Sequence, residues 1–146
     1  VFNNEDDIIV REMLEKCNLT ALKERMLSEL SGGELQRSLV ARAMAQQTPI
    51  MLLDEPLSNL DVSHKFEILD ILRKLNREEN VLILLIVHDF PIAMEYATQA
   101  ILLNDGKLVQ HDVISAVLSP ENIRKCFGLG AEFEVTTDGK ISKRHI

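Results

Sequence analysis

Leu30-Ser31-Gly32-Gly33-Glu34, Ile50-Met51-Leu52-Leu53-Asp54-Glu55-Pro56 and Ser58-Asn59-Leu60-Asp61 follow one another within 32 positions, and their reading decides the fold. The glycine pair interrupts one helical pattern and precedes another. Leu35, Leu39, Val40, Ala43 and Met44 recur at helical spacing, with Arg37 and Arg42 off that stripe, until Thr48-Pro49 stops the run. The period then changes. Four apolar residues ending in two acids read as a buried strand that delivers two carboxylates to its end. Ser63 to Glu79 reads as an amphipathic helix with Phe66, Leu69, Leu72 and Leu75 on one side, and Val81 to Val87 as a second buried strand that leads to His88. Strands alternating with helices argue for a parallel α/β sheet, the class that places ligands at the carboxyl ends of its strands.

Working outward, Asn4 is a candidate helix cap with Glu5, Asp6 and Asp7 in the first turn and an apolar stripe of Ile9, Val10, Met13, Leu14 and Cys17. A short helix is expected from Thr20 to Met26. Downstream, Pro91 opens a helix to about Thr98. Ala100–Leu103 and Lys107–Gln110 flank Asn-Asp-Gly, a hairpin signal. Val113–Leu118 and Pro120–Cys126 read as helical, and Glu132–Thr136 with Lys140–Lys143 as a second hairpin around Asp138-Gly139. There are no repeats or low-complexity segments.

Composition narrows the classes. A chain of 146 residues is one ordinary domain by length, able to bury roughly 70% of its unfolded surface. Hydrophobic content of 46% and charged content of 27% are globular values. A net charge of −7 argues against non-specific nucleic-acid binding. The longest apolar run, Val81–Val87, is far short of a bilayer span. The acidic start, Val1 to Asp7, is unlike a secretory leader. Cys17 and Cys126 lack metal or disulfide spacing and read as two buried thiols of a reducing compartment.

Several residues carry possible chemistry. Asp54 and Glu55 at a strand end suit magnesium, which takes carboxylate and water oxygens, and the positioning of an attacking water. A pair of solvated acids would look the same. Ser31-Gly32-Gly33-Glu34 before a helix offers unpaired N–H groups and a positive dipole end, hence an anion site, or an ordinary N-cap with a glycine lead. Asp61 or Ser63 can cap the next helix. His88 can donate one hydrogen bond while accepting another, which suits a link between a phosphate and a loop, or it simply ends a strand in solvent. His64, His111 and His145 read as surface residues. Gln36, Arg37 and Arg42 read as a solvated helix face.

Taken together, Leu30–Glu34, Ile50–Pro56, Ser58–Asp61 and His88 resemble, in order, the signature sequence, Walker B motif, D-loop and switch histidine of ABC-type ATPases. The resemblance implies a partial P-loop NTPase fold, RecA-like, with a parallel sheet and part of the helical subdomain. Residues 1–48 would be the end of the helical subdomain with the signature, and 49–146 the C-terminal part of the ATPase core. It implies ATP and magnesium as cofactors. Asp54 would hold the metal through water, and Glu55 and His88 would act on the attacking water and the γ-phosphate. Ser31, Gly32, Gly33 and Glu34 would close on the ATP of the opposite subunit, and Asp61 would line the dimer interface. Glu34 stands where many members carry Gln.

Asp61-Val62-Ser63-His64-Lys65, Leu103–Lys107, and Ser119–Ile123 with Cys126–Gly128 are similar to stretches of the iron-siderophore, haem and cobalamin importer ATPases. The implied partners are a second ATPase subunit, membrane permease subunits and, indirectly, a solute-binding protein, with no nucleic acid. The implied location is cytoplasmic, peripheral on the inner face of the membrane. No Gly-x-x-x-x-Gly-Lys-Ser/Thr phosphate loop occurs in the 146 residues. The expectation is therefore a C-terminal portion, inactive alone. Two alternatives stand beside it: a non-catalytic regulatory fragment, and a DNA-repair or chromosome-maintenance ATPase. Pro56 and the absence of heptads count against the last.

Overall fold

A computed structural model describes residues 4–143. Contacts divide the chain into two compact units that meet in sequence at Ile86/Val87.

In the first unit, α1 (Asn4–Lys16), α2 (Gly32–Met44), β1 (Ile50–Leu53), α3 (Val62–Glu79) and β2 (Leu82–Leu85) follow one another. β1 and β2 pair in parallel with Ile50 opposite Leu82 and Leu53 opposite Leu85, so α3 is the crossover of a βαβ unit. The buried side chains are Met13, Cys17 and Leu19 around α1, Val40, Ala41 and Met44 of α2, and Met51, Leu57, Ile68, Leu69, Leu72 and Leu75. Lys16 bridges Glu12 and Glu79, and Arg37 of α2 pairs with Glu67 of α3.

Three expectations fail here. Thr20–Met26 is not a helix; a single 3-10 turn spans Thr20–Leu22 and a second Leu27–Glu29. Asn18, at φ 55°, has already turned the chain so that Leu19 is buried. Val10, placed on the core stripe, is 42% exposed. The two strands are covered on one face only. Met51 is buried, whereas Ile50, Leu52, Leu82 and Leu84 all lie open. An apolar run without alternation suggests cover on both faces, and α3 packs against the pair without enclosing it.

The second unit holds α4 (Phe90–Tyr96), β3 (Gln99–Asn104), β4 (Lys107–Val113), α5 (Ile114–Val117), α6 (Pro120–Cys126), β5 (Phe133–Val135) and β6 (Ile141–Lys143). β3 and β4 form the expected hairpin, with Asp105 and Gly106 both at positive φ, as a type I′ turn requires. β5 and β6 form the second hairpin. Their core joins Ala93, Leu102, Val117, Leu118, Ile123 and Val135. Asn122 Nδ2 donates to Gln110 Oε1 (2.7 Å) and to the Val117 carbonyl (3.0 Å), tying α6 to β4 and α5.

The cysteines differ from expectation. Cys17 is fully buried against Met44, and burial pushes its thiol up to about 11. Cys126 is only partly buried. A thiol reagent at neutral pH is expected to label Cys126 in the folded chain and spare Cys17 until denaturant is added. Equal labelling of both in the native state, read by mass spectrometry, would contradict the packing around Cys17.

Candidate functional site

β1 ends at Leu53, so Asp54 and Glu55 stand exposed at the carboxyl end of the parallel pair. Pro56 and Leu57 are buried next to them and anchor the turn. Glu55 adopts a left-handed conformation at φ 46°, and Asn59 another at φ 61°. For glutamate this costs on the order of 1 kcal/mol. The turn is held by Ser58, whose N–H donates to the Glu55 carbonyl (3.1 Å) and whose hydroxyl donates to Glu55 Oε2 (2.8 Å). The same strained residue thus has its carboxylate fixed by the loop that follows it.

That loop ends at Asp61, the N-cap of α3. Its Oδ1 accepts from the His64 N–H (3.0 Å) and the Ser63 hydroxyl (2.8 Å). His64 Nδ1 lies 2.8 Å from each carboxylate oxygen. These bonds, the His64 N–H first, hold the Asp61 carboxyl down at about 2, so it stays ionised through the working pH range. Asp61 is therefore a helix cap in fact, as one of the two sequence readings has it.

The glycine segment forms a full capping box on α2. The Ser31 N–H donates to Glu34 Oε2 (2.8 Å), and Glu34 N–H donates to Ser31 Oγ (3.3 Å). Hydrogen bonding from Ser31 holds the Glu34 carboxyl below the usual range. The two glycines differ. A Cβ on Gly32 would meet nothing within 4 Å, whereas one on Gly33 would lie 2.1 Å from Cδ2 of His64. Gly32 leaves room for a ligand to approach the helix N-terminus; Gly33 leaves room for an imidazole.

The first unit therefore joins Ser31–Glu34 to Asp61 through His64, and Glu55 to Ser58. His88 lies exposed in the second unit, in the bend before α4, where Asp89 caps the helix by accepting from Ile92 N–H (3.1 Å). Among the described residues no three His, Cys, Asp or Glu side chains converge as a metal cage. Asp54 beside Glu55 fits magnesium nonetheless, because that ion commonly keeps several waters and takes one or two carboxylates plus phosphate oxygens.

Two sequence readings need correction. His64 is not a free surface residue: its side chain is 31% exposed and packs over Gly33. The three-residue spacing from Asp61 at a helix start is the signal that points to it. Arg37 is not solvated either, with its side chain 11% exposed and paired with Glu67. Arg42 and His111 are exposed as expected, while His145 lies outside the described residues.

The family model described as ABC transporter matches residues 1–58, which takes in the α2 cap, β1 and the Asp54–Ser58 turn. The petrobactin import ATP-binding protein FpuC of Bacillus anthracis is 36% identical over 97% of this chain and 54% of its own length. The iron(3+)-hydroxamate import ATP-binding protein FhuC of Bacillus subtilis (strain 168) is 36% identical over 97% of this chain and 52% of its own. Among solved structures, a chain of an inward-facing ABC transporter described as of metal-chelate type superposes with a TM-score of 0.86 at 26% identity, covering 99% of this chain and 59% of that one. The ATP-binding cassette MJ0796, a dimer bound to ADP and Pi, gives 0.67 at 29% identity, over 78% of this chain and 50% of that one.

The fold is that of part of an ABC-type ATP-binding domain. The chain belongs to the ABC transporter ATP-binding family and is related to its siderophore, haem and cobalamin import branch. It spans about half the length of the curated relatives it matches.

Proposed function

We propose that this chain supplies the signature, metal-binding and water-activating segments of an ATP-hydrolysing subunit that energises import of an iron-siderophore, haem or cobalamin solute. The observation that carries the reading is the Asp54-Glu55 pair at the carboxyl end of β1, with Glu55 strained and fixed by Ser58. Strained backbone persists where the surroundings over-determine it, and such positions cluster at active sites.

ATP with magnesium supplies the reacting γ-phosphate and the charge neutralisation at it. Asp54 would hold the metal, through water. Glu55 orients the attacking water and takes its proton. His88 donates to the γ-phosphate. Ser31, Gly32, Gly33 and Glu34 meet the nucleotide of an opposite subunit, and Asp61 lines that interface. Residues 1–48 then belong to the helical subdomain and 49–146 to the ATPase core. The relatives' names support import, and the MJ0796 dimer supports a paired subunit. Permease subunits, an indirect solute-binding protein and a place on the inner membrane face follow from the same reading. Among the described residues no helix is long and apolar enough to cross a membrane.

The 146 residues hold no phosphate loop, which keeps open a second reading, a non-catalytic regulatory fragment. One experiment separates the two. The purified chain alone is expected to show no magnesium-dependent ATPase activity, because nothing in its sequence cradles the β- and γ-phosphates. A longer polypeptide in which a phosphate-loop segment precedes this chain is expected to hydrolyse ATP. Turnover by the chain alone, free of contaminating ATPases, would refute the first expectation; a longer polypeptide that binds but never hydrolyses ATP would favour the regulatory reading.

A further inference from the structure

We propose that His64 is a positioning residue that locks the Ser31–Glu34 turn to the Ser58–Asp61 loop, so that the two segments act as one rigid unit. The imidazole is held from one side and occupied on the other. Nδ1 faces both Asp61 oxygens at 2.8 Å, and the His64 N–H is bonded to the same carboxylate. The opposite edge of the ring, Cδ2 and Nε2, covers the Cα of Gly33, where an added Cβ would lie 2.1 Å and 2.7 Å from those atoms.

A clash with the far end of a flexible side chain is cheap, but this ring swings away only by giving up its hydrogen bonds to Asp61. Gly33 is buried and its φ lies outside the left-handed region, so backbone freedom does not explain the glycine. Space for His64 does. Gly33 in turn sits inside the capping box that Ser31 and Glu34 close, so the ring braces the first turn of α2 as well as that of α3. The mechanical consequence rests on the proposed function: both segments would reach across to an opposite subunit's nucleotide, and a fixed spacing between them would set how that contact forms.

The test is a double-variant cycle on the chain itself, with Gly33→Ala, His64→Ala and the pair. Gly33→Ala alone is expected to lower the folding equilibrium constant about tenfold or more, as overpacking against a held side chain does. With His64→Ala present, the same change is expected to cost less than about threefold. If Gly33→Ala does not fold at all, recovery of folding in the pair is the same result in stronger form.

Amide exchange reads the coupling site by site. Leu35 N–H bonds the Ser31 carbonyl (2.8 Å) and Lys65 N–H the Asp61 carbonyl (3.1 Å). His64→Ala is expected to speed exchange at both, although Leu35 is on another helix. His64→Asn, which keeps a donor for Asp61 but not the ring over Gly33, is expected to restore Lys65 protection and not that of Leu35.

Equal Gly33→Ala penalties in both backgrounds, or unchanged Leu35 exchange in His64→Ala, would overturn the coupling. In a longer polypeptide with a phosphate loop, His64→Ala is expected to lower kcat at least about tenfold with KM for ATP within about twofold. Unchanged kcat in an otherwise active protein would overturn the positioning role. No activity in the unsubstituted longer protein would instead overturn the proposed function, and the exchange data would still decide the coupling.

Discussion

In a polypeptide that joins this chain to a phosphate loop, Glu55→Gln is expected to reduce ATP hydrolysis by about 10²–10⁴-fold while ATP binding persists. Glutamine has the same length and shape, and its side-chain oxygen still accepts from the Ser58 hydroxyl that holds Glu55 Oε2 at 2.8 Å. The turn, including the left-handed backbone at Glu55 and the buried Pro56 and Leu57 beneath it, is therefore expected to survive the change. What is lost is basicity, since an amide takes a proton from water far less readily than a carboxylate. Because the loss falls on the chemical step, kcat drops and the nucleotide affinity stays within a few-fold. A nucleotide-held dimer is the expected companion, visible as a doubled mass with ATP and magnesium. Hydrolysis within about threefold of the unsubstituted rate would remove Glu55 from the role of water activator and leave the fold untouched.

The chain by itself is expected to self-associate through the open face of its parallel strand pair. Ile50 is 52% exposed, Leu52 72%, Leu82 53% and Leu84 42%, and the register places Ile50 beside Leu82 and Leu52 beside Leu84. Parallel strands are ordinarily covered on both faces, and within the described residues each of these strands also has one unpaired edge. Covering a leucine or isoleucine side chain fully is worth about 1.5–3 kcal/mol, so a contiguous group of four is a strong drive to association. Light scattering is expected to show species larger than the monomer, and Leu52→Lys with Leu84→Lys to shift them toward monomer without loss of helical signal. A monodisperse monomer with a sharp, high melting transition would sink this expectation and favour the regulatory-fragment reading, because the residues would then form a self-sufficient domain.

Local signals carried much of this protein. Period alone places α2, β1, α3 and β2 in order, because the side chains that define those elements lie within a turn or two of one another. Thr48-Pro49 marks the stop between α2 and β1, and Asp105-Gly106 the turn between β3 and β4, through backbone sterics that need no tertiary partner. The capping box of α2 and the Asp61 cap of α3 are likewise short-range, three residues apart in each case. The places of Ser31–Glu34, Asp54, Glu55 and Asp61 were legible for the same reason: each sits at an element end that the chain itself announces.

Other features were decided only in three dimensions. Whether Leu52 is core or surface depends on what lies above the sheet, and the run Ile-Met-Leu-Leu reads the same in either case. Arg37 looks like a solvated cation in sequence, and only the approach of α3 gives it Glu67. Gly33 reads as part of a glycine lead to an anion site or N-cap until His64, 31 positions later, is found to occupy the space its side chain would fill. Sequence determines which backbone conformations are cheap, residue by residue. The tertiary structure decides which side chains meet, because contacts between distant positions depend on the packing of whole helices, and no local pattern encodes them.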